Sequence, residues 1–262
     1  MPHLFKSPEQ KTQDLLEFAK QDNRYNEIVT AINKIGLTIN YTWLGNTGSY
    51  HPQALNLQNI EDLETKIQHL KETGAAKHTI RLSHRFGKWV MYHTFLHELF
   101  HIYQDTLGLF LIPLHINGKP QLSLDEESQI TVTLFNEAFA ATEAIRASYR
   151  LKQKAHPEAW YGALISPDWY KLAKNYAKDI KTSDEETAAK NLFDNWHKSH
   201  LKKYYESRTL TPQTSPMKLN GITYESLTDL IPEKHRPSYL TPSNKNALNN
   251  IKKGSPLSYL SN

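Results

Sequence analysis

At 262 residues, with 39% hydrophobic and 11% aromatic content, the chain has a globular composition and can bury a substantial core in one or two domains. A formal net charge of +4, spread along the chain, excludes a concentrated nucleic-acid footprint. The absence of cysteine excludes disulfides, thiolate metal ligands and a cysteine nucleophile.

The opening Met1–Glu9 carries no apolar h-region, and no apolar run approaches the roughly 18 residues of a membrane span. The expectation is a cytoplasmic protein, or one exported without a cleavable signal peptide. Ser7-Pro8-Glu9 opens a helix, with Ser as cap and Pro in the first turn. A second helix capped by Asp22 or Asn23 runs through Ile28 and Ile32 to Gly36. Leu37–Trp43 alternates apolar and polar residues and reads as a strand, Gly45–Gly48 as a turn, and Tyr50–Leu57 as a weaker strand. Ile60–Thr73 has amphipathic helical spacing, and Thr79–Ser83 reads as a short strand. A sheet edge there could receive an extended peptide by backbone pairing.

The stretch from Lys88 to Thr106 contains neither Pro nor Gly and carries Trp89, Val90, Tyr92, Phe95, Leu96, Leu99, Phe100 and Tyr103 at three- and four-residue spacing. That spacing predicts one uninterrupted helix. Within it lies His97-Glu98-Leu99-Phe100-His101, an H-E-x-x-H sequence. Residues four apart share a helix face with Cβ atoms about 5–6 Å apart, which suits two ligands of one tetrahedral Zn²⁺. Glu98, angled off that line, is placed to act as general base on a metal-activated water.

Beyond the loop-like residues from Gly108 to Leu124, with Asn117-Gly118 as a turn signal, Ser123 or Asp125 opens a long helix to about Lys154. Two more helices follow, one from Trp160 or Asp168 to Ile180 and one from Ser183 or Asp184 to about Ser207. Six prolines after Leu210 mark residues 210–262 as an irregular C-terminal extension to a domain over residues 1–209. No internal repeat is visible.

A catalytic zinc usually takes three protein ligands and keeps one position open. Glu137, set among apolar and small residues in the long helix, is the candidate third ligand, because an unpaired carboxylate there would be costly. Glu143, Glu127 and His115 are the alternatives. Glu143 lies about 240° around the helix from Glu137, so the two are not expected to face one ion. His97-Glu98-x-x-His101 followed by Asn136-Glu137-Ala138 resembles the gluzincin class of zinc metallopeptidases. His97-Glu98-Leu99-x-His101-x-x-Gln104 with Glu137-Ala138-x-Ala140 is also similar to small bacterial metallopeptidase domains. The resemblance covers about Thr79 to Arg146. It implies His97, His101 and Glu137 as ligands of one Zn²⁺, Glu98 as the catalytic base, and a zincin-like core near residues 79–146. One departure is Ala141, where the class has an acidic residue, so a partner for a ligand histidine must come from elsewhere. Asp105 and Glu143 are candidates, each more commonly a surface charge.

His93, one turn before His97, reads as a polar residue at the cleft edge. A donor for the developing oxyanion could be His84, His197, His200, Tyr161, Tyr204 or Tyr205, with nothing to rank them. Trp160-Tyr161 and Trp169-Tyr170 read as core or interhelix packing residues rather than a ligand platform. The resulting expectation is a predominantly helical α+β fold with a small sheet beside the metal helix. Its function is zinc-dependent hydrolysis of a peptide or protein substrate, with no nucleic-acid partner and no membrane span. The alternatives are a metal-binding scaffold that holds peptides without turnover and a protein-cleaving bacterial effector or toxin.

Overall fold

The computed structural model describes residues 7–35, 37–42, 48–50, 78–83, 85–107, 109–110, 115–116, 119–120, 122–207, 217–231 and 233–240. Helix α1 (Pro8–Ala19) starts with a capping box, in which the Ser7 hydroxyl accepts from the Gln10 N–H and the Gln10 side chain accepts from the Ser7 N–H. Helix α2 (Asn23–Ile35) is opened by Asp22, whose carboxylate accepts from the N–H groups of Arg24 and Tyr25. Strand β1 (Leu37–Thr42), strand β2 (Gly48–Tyr50) and strand β3 (His78–Ser83) form one sheet in the order β1-β3-β2. β3 is parallel to β1 and antiparallel to β2. It therefore lies in the middle of the sheet, which corrects the reading of it as an edge; β1 and β2 are the edges among the described residues. The helix expected at Ile60–Thr73 and the rest of the Tyr50–Leu57 strand lie outside the described residues.

Helix α3 (Lys88–Thr106) has the limits its sequence predicts. It differs in burial. Phe95, Leu96, Leu99, Phe100 and Ile102 are fully enclosed, but so are the polar His93, Thr94, His97, Glu98, His101, Gln104 and Asp105. From Tyr92 to Asp105 the helix is enclosed on every side and is a central element rather than a surface one, while its first turn meets solvent and Trp89, expected on the apolar face, stands 48% exposed. The sheet covers one side through β2 and β3, and helices α4 (Glu126–Gln153) and α5 (Glu158–Ile165) cover others. Helix α4 is capped by the Asp125 carboxylate, which accepts from the Ser128 N–H at 2.8 Å.

At the α3–α5 crossing the backbones nearly touch. A Cβ on Gly162 would stand 2.0 Å from the carbonyl oxygen of Trp89. Gly162→Ala is therefore expected to destabilise the fold by about 3 kcal/mol, the upper end of overpacking costs, against under about 1 kcal/mol gained in helix propensity. Denaturant unfolding checks this, and a loss below about 1 kcal/mol would contradict so tight a crossing.

The first of the two later predicted helices is interrupted if begun at Trp160 and continuous if begun at Asp168, and the second is broken in two. Ser166 is extended (ψ 126°), as residues before proline tend to be, and separates α5 from α6 (Tyr170–Asp179). Helix α7 (Glu185–Trp196), capped by Asp184, is separated from α8 (His200–Glu206) by Ser199, whose hydroxyl caps the new helix through the Leu201 N–H. The Asn117-Gly118 turn signal stands between two short antiparallel strands, β4 (His115–Ile116) and β5 (Lys119–Pro120). Strand β6 (Leu122–Leu124) pairs in parallel with β7 (Met217–Leu219). After β7 comes α9 (Tyr224–Leu230), held by a Thr223–Ser226 capping box, and a 3₁₀ turn at Glu233–His235. Ile222, Leu227, Ile231, Tyr239 and Leu240 are buried in the same core as α3 and α4. The molecule is thus mostly helical with a small three-stranded sheet, an α+β arrangement. Among the described residues no helix is long and apolar enough to cross a membrane.

Candidate metal centre

Helix α3 sets His97 and His101 one turn apart, and α4 brings Glu137 against them. The two Nε2 atoms are 3.0 Å from each other. The Glu137 carboxylate oxygens lie 3.3 Å from His97 Nε2 and 3.5 Å from His101 Nε2. One donor atom from each of the three residues lies within 4.8 Å of the others. Two imidazoles and a carboxylate are a donor set that fits a divalent transition metal. Two imidazole lone pairs so close repel unless a cation or a proton sits between them.

The electrostatics match that requirement. Burial alone would lower the pKa of His101, but Glu137, Glu98 and the Gln104 side chain push it up to about 9. Burial and the neighbouring His101 charge hold His97 below its ordinary value. Burial would raise the Glu137 carboxyl, yet His101 and His97 hold it well below the usual carboxylate range. The three residues therefore share one positive charge over one carboxylate, and a divalent cation competes for that place.

The tautomer of His101 follows from its outer neighbour. Gln104 Nε2 donates to the Asn136 carbonyl at 2.9 Å, which leaves Gln104 Oε1 facing His101 Nδ1 at 2.7 Å. An amide oxygen only accepts, so Nδ1 carries the hydrogen and Nε2 is the nitrogen turned to the cluster. Asn136 is in turn fixed by its Nδ2 donating to the Leu109 carbonyl at 3.0 Å. Sequence reasoning quoted Gln104 and missed this role. Its signal was a polar amide one turn beyond a ligand histidine, at the spacing that faces it. His97 Nδ1 is buried without a hydrogen-bond partner, and its ring is packed 5.1 Å from that of Trp169.

Glu98 is buried beside the cluster. Burial pushes its carboxyl up to about 8, partly opposed by the His101 charge and by the Tyr50 backbone N–H, which donates to it. Strand β2 approaches this closely because of Gly48. A Cβ there would lie 2.5 Å from Thr94 Cγ2 and 3.2 Å from Glu98 Oε1. Tyr50 is anchored at its other end, its hydroxyl donating to buried Asp105 and accepting from His78 Nδ1 at 2.8 Å. Burial holds His78 down to about 4, so this histidine is neutral at pH 7. The Tyr205 hydroxyl, from α8, hydrogen-bonds the Glu137 carboxylate, and burial with the nearby Glu137 and Glu98 charges holds its pKa well above the ordinary value.

The remaining candidates lie elsewhere. Glu143 is no surface charge but a buried carboxylate held by Arg146 at 2.8 Å, and Glu127 is exposed. Asp105 is likewise buried. His93 sits in the interior rather than at a cleft edge, its Nδ1 3.0 Å from the Ser148 hydroxyl. His197 meets the Tyr224 hydroxyl at 3.3 Å, and exposed His200 lies 3.6 Å from Asp168. Tyr161, Tyr170 and Tyr204 are exposed, which corrects the packing reading of Tyr161 and Tyr170, while Trp160 and Trp169 are buried packing residues. His84 and the side chain of His115 lie outside the described residues.

Compared with curated proteins and with solved structures, the chain matches none. A family model described as Putative metallopeptidase family (DUF6782) matches residues 68–211, more than half of the chain, and the matched span contains His97, Glu98, His101, Glu137 and Tyr205. On that match the chain belongs to the Putative metallopeptidase family (DUF6782).

Proposed function

We propose that the protein is a gluzincin-like zinc peptidase in which His97, His101 and Glu137 hold one Zn²⁺ and Glu98 is the general base. The observation that carries this reading is the convergence of two imidazoles and a carboxylate from two helices, with an unligated, buried carboxyl beside them. A bound Zn²⁺ would polarise the scissile carbonyl and acidify the attacking water. Glu98, unligated beside the cluster and made a carboxylate by the charge of a bound cation, takes the water's proton and passes it to the leaving amine. Tyr205, which reaches Glu137, is the donor placed to stabilise the developing oxyanion. Strand β2 is one of the two sheet edges among the described residues, and its Tyr50 N–H touches Glu98. An extended peptide pairing along β2 would carry its backbone to the base.

The test is cleavage of a broad peptide library by the purified chain. Hydrolysis is expected, lost on treatment with a chelator and restored by Zn²⁺. A chain that retains its ion and binds peptides without cutting them would favour the scaffold reading instead. Tyr205→Phe is expected to lower kcat by about 10²–10³-fold when assayed in saturating Zn²⁺, which offsets the weaker ion binding from the freed Glu137. Equal kcat in that variant would remove Tyr205 from the reaction.

A further inference from the structure

Far along α4 from Glu137, the start of α2, the start of α7 and the segment around Arg236 enclose a cavity of about 560 Å³. That volume is within the ordinary range of small-molecule sites, about 300–1,000 Å³. Five cationic side chains line it, Arg24, Arg146, Arg150, Lys154 and Arg236, against four carboxylates, those of Asp22, Glu143, Glu185 and Glu186.

The carboxylates are held chiefly by two of the arginines. Arg150 grips Asp22 through two nitrogens, at 2.7 and 3.2 Å, and reaches Glu185 at 2.8 Å. Arg146 takes Glu143 at 2.8 Å, Glu185 at 3.0 Å and Glu186 at 2.7 Å. The other cations are left mainly with carbonyls. Lys154 donates to the Gln21 carbonyl, Arg24 Nη2 to that of His235, and Arg236 Nη2 to those of Ile231 and Asp229. Their nearest carboxylates are loose, Glu143 at 3.6 Å from Arg24 and Asp229 at 3.8 Å from Arg236.

Among the described residues two buried donors make no hydrogen bond: Arg24 Nε, whose nearest acceptor is Glu143 Oε2 at 3.6 Å, and Arg236 Nε. Buried donors of this kind are rare and costly, and Arg236 Nε above all calls for an acceptor. Arg24 is also held in place, its guanidinium stacked 5.4 Å from the Tyr103 ring and 6.0 Å from that of Phe100. A guanidinium fork fixed in this way matches the oxygens of a phosphate or carboxylate. Glu186 Oε2, buried in the same lining without a donor, supplies the complementary acceptor.

We propose that this cavity binds a small organic anion, its phosphate or carboxylate group clasped by Arg24 and Arg236 and a hydroxyl or ammonium group donating to Glu186. The site is separate from the metal cluster and does not depend on the peptidase reading. The test is calorimetric titration and thermal unfolding of the full chain with glycerol phosphate, malate and inorganic phosphate. Each is compared with sodium chloride at equal ionic strength.

The expected result is saturable binding of at least one organic probe, with a raised unfolding midpoint that chloride does not reproduce. Tighter binding of glycerol phosphate assigns a phosphate ligand, and tighter binding of malate a carboxylate. Arg236→Lys keeps the charge but loses the fork and is expected to weaken binding at least tenfold. Lys154→Gln, at the rim, weakens it several-fold and serves if the first variant folds poorly. Absence of saturable binding, a response no greater than that to chloride, or unchanged affinity in both variants would overturn the proposal and leave water as the occupant.

Discussion

Replacing Glu98 by Gln is expected to leave ion content unchanged and to lower peptide hydrolysis by about 10²–10⁴-fold, the usual share of a general base. The amide has the size of the carboxyl but cannot take up a proton. Glu98 is not one of the three clustered donors, so its loss does not empty the site. Stability gives a second readout. The Glu98 carboxyl is pushed up to about 8 by burial, from an ordinary value of 4.5. Between those values the folded chain holds a proton that the unfolded chain has released, so stability falls as pH rises through this window. Glu98→Gln removes that penalty. In the chelated protein its unfolding midpoint at pH 8 is expected to match or exceed that of the parent. Lost hydrolysis with a lower midpoint would mean that the substitution acts by damaging the fold.

The second large effect concerns Glu137. Glu137→Ala is expected to lower zinc affinity by more than the ten- to hundred-fold that loss of an outer hydrogen-bond partner costs, and hydrolysis with it. Gln104→Ala supplies the comparison. It leaves all three donors in place but frees the His101 ring from the 2.7 Å contact that sets its tautomer, and it is expected to fall inside the ten- to hundred-fold range. Competition with a chromophoric chelator measures both. Equal affinities for Glu137→Ala and the parent would remove Glu137 from the ligand set and reopen the choice of third donor.

The central helix was legible because one run of residues satisfies two conditions at once. Lys88–Thr106 lacks breakers and repeats apolar residues at helical spacing, and its H-E-x-x-H sequence sits where both imidazoles share a face. Glu137 stood out because a carboxylate among alanines and phenylalanines needs a partner, and α4 does bring it to the two histidines. Periodicity along one helix says nothing, however, about what covers its other side. The burial of His93, Gln104 and Asp105 was therefore hidden. Strand order is likewise a property of pairing across the chain, and for that reason β3 fell in the middle, with β1 and β2 at the edges among the described residues. Tyr205 could not be separated from Tyr204, its neighbour, until the short helix after Ser199 turned one ring inward and left the other exposed.

The most direct measurement is ion content with X-ray absorption at the zinc edge on the purified chain, alongside a His97→Ala/His101→Ala double variant. The account expects one zinc per parent chain, coordinated by two imidazole nitrogens and carboxylate oxygen with one solvent position, and none in the variant. A parent chain that binds no more zinc than the double variant, or an ion whose ligands lack imidazole, would contradict it.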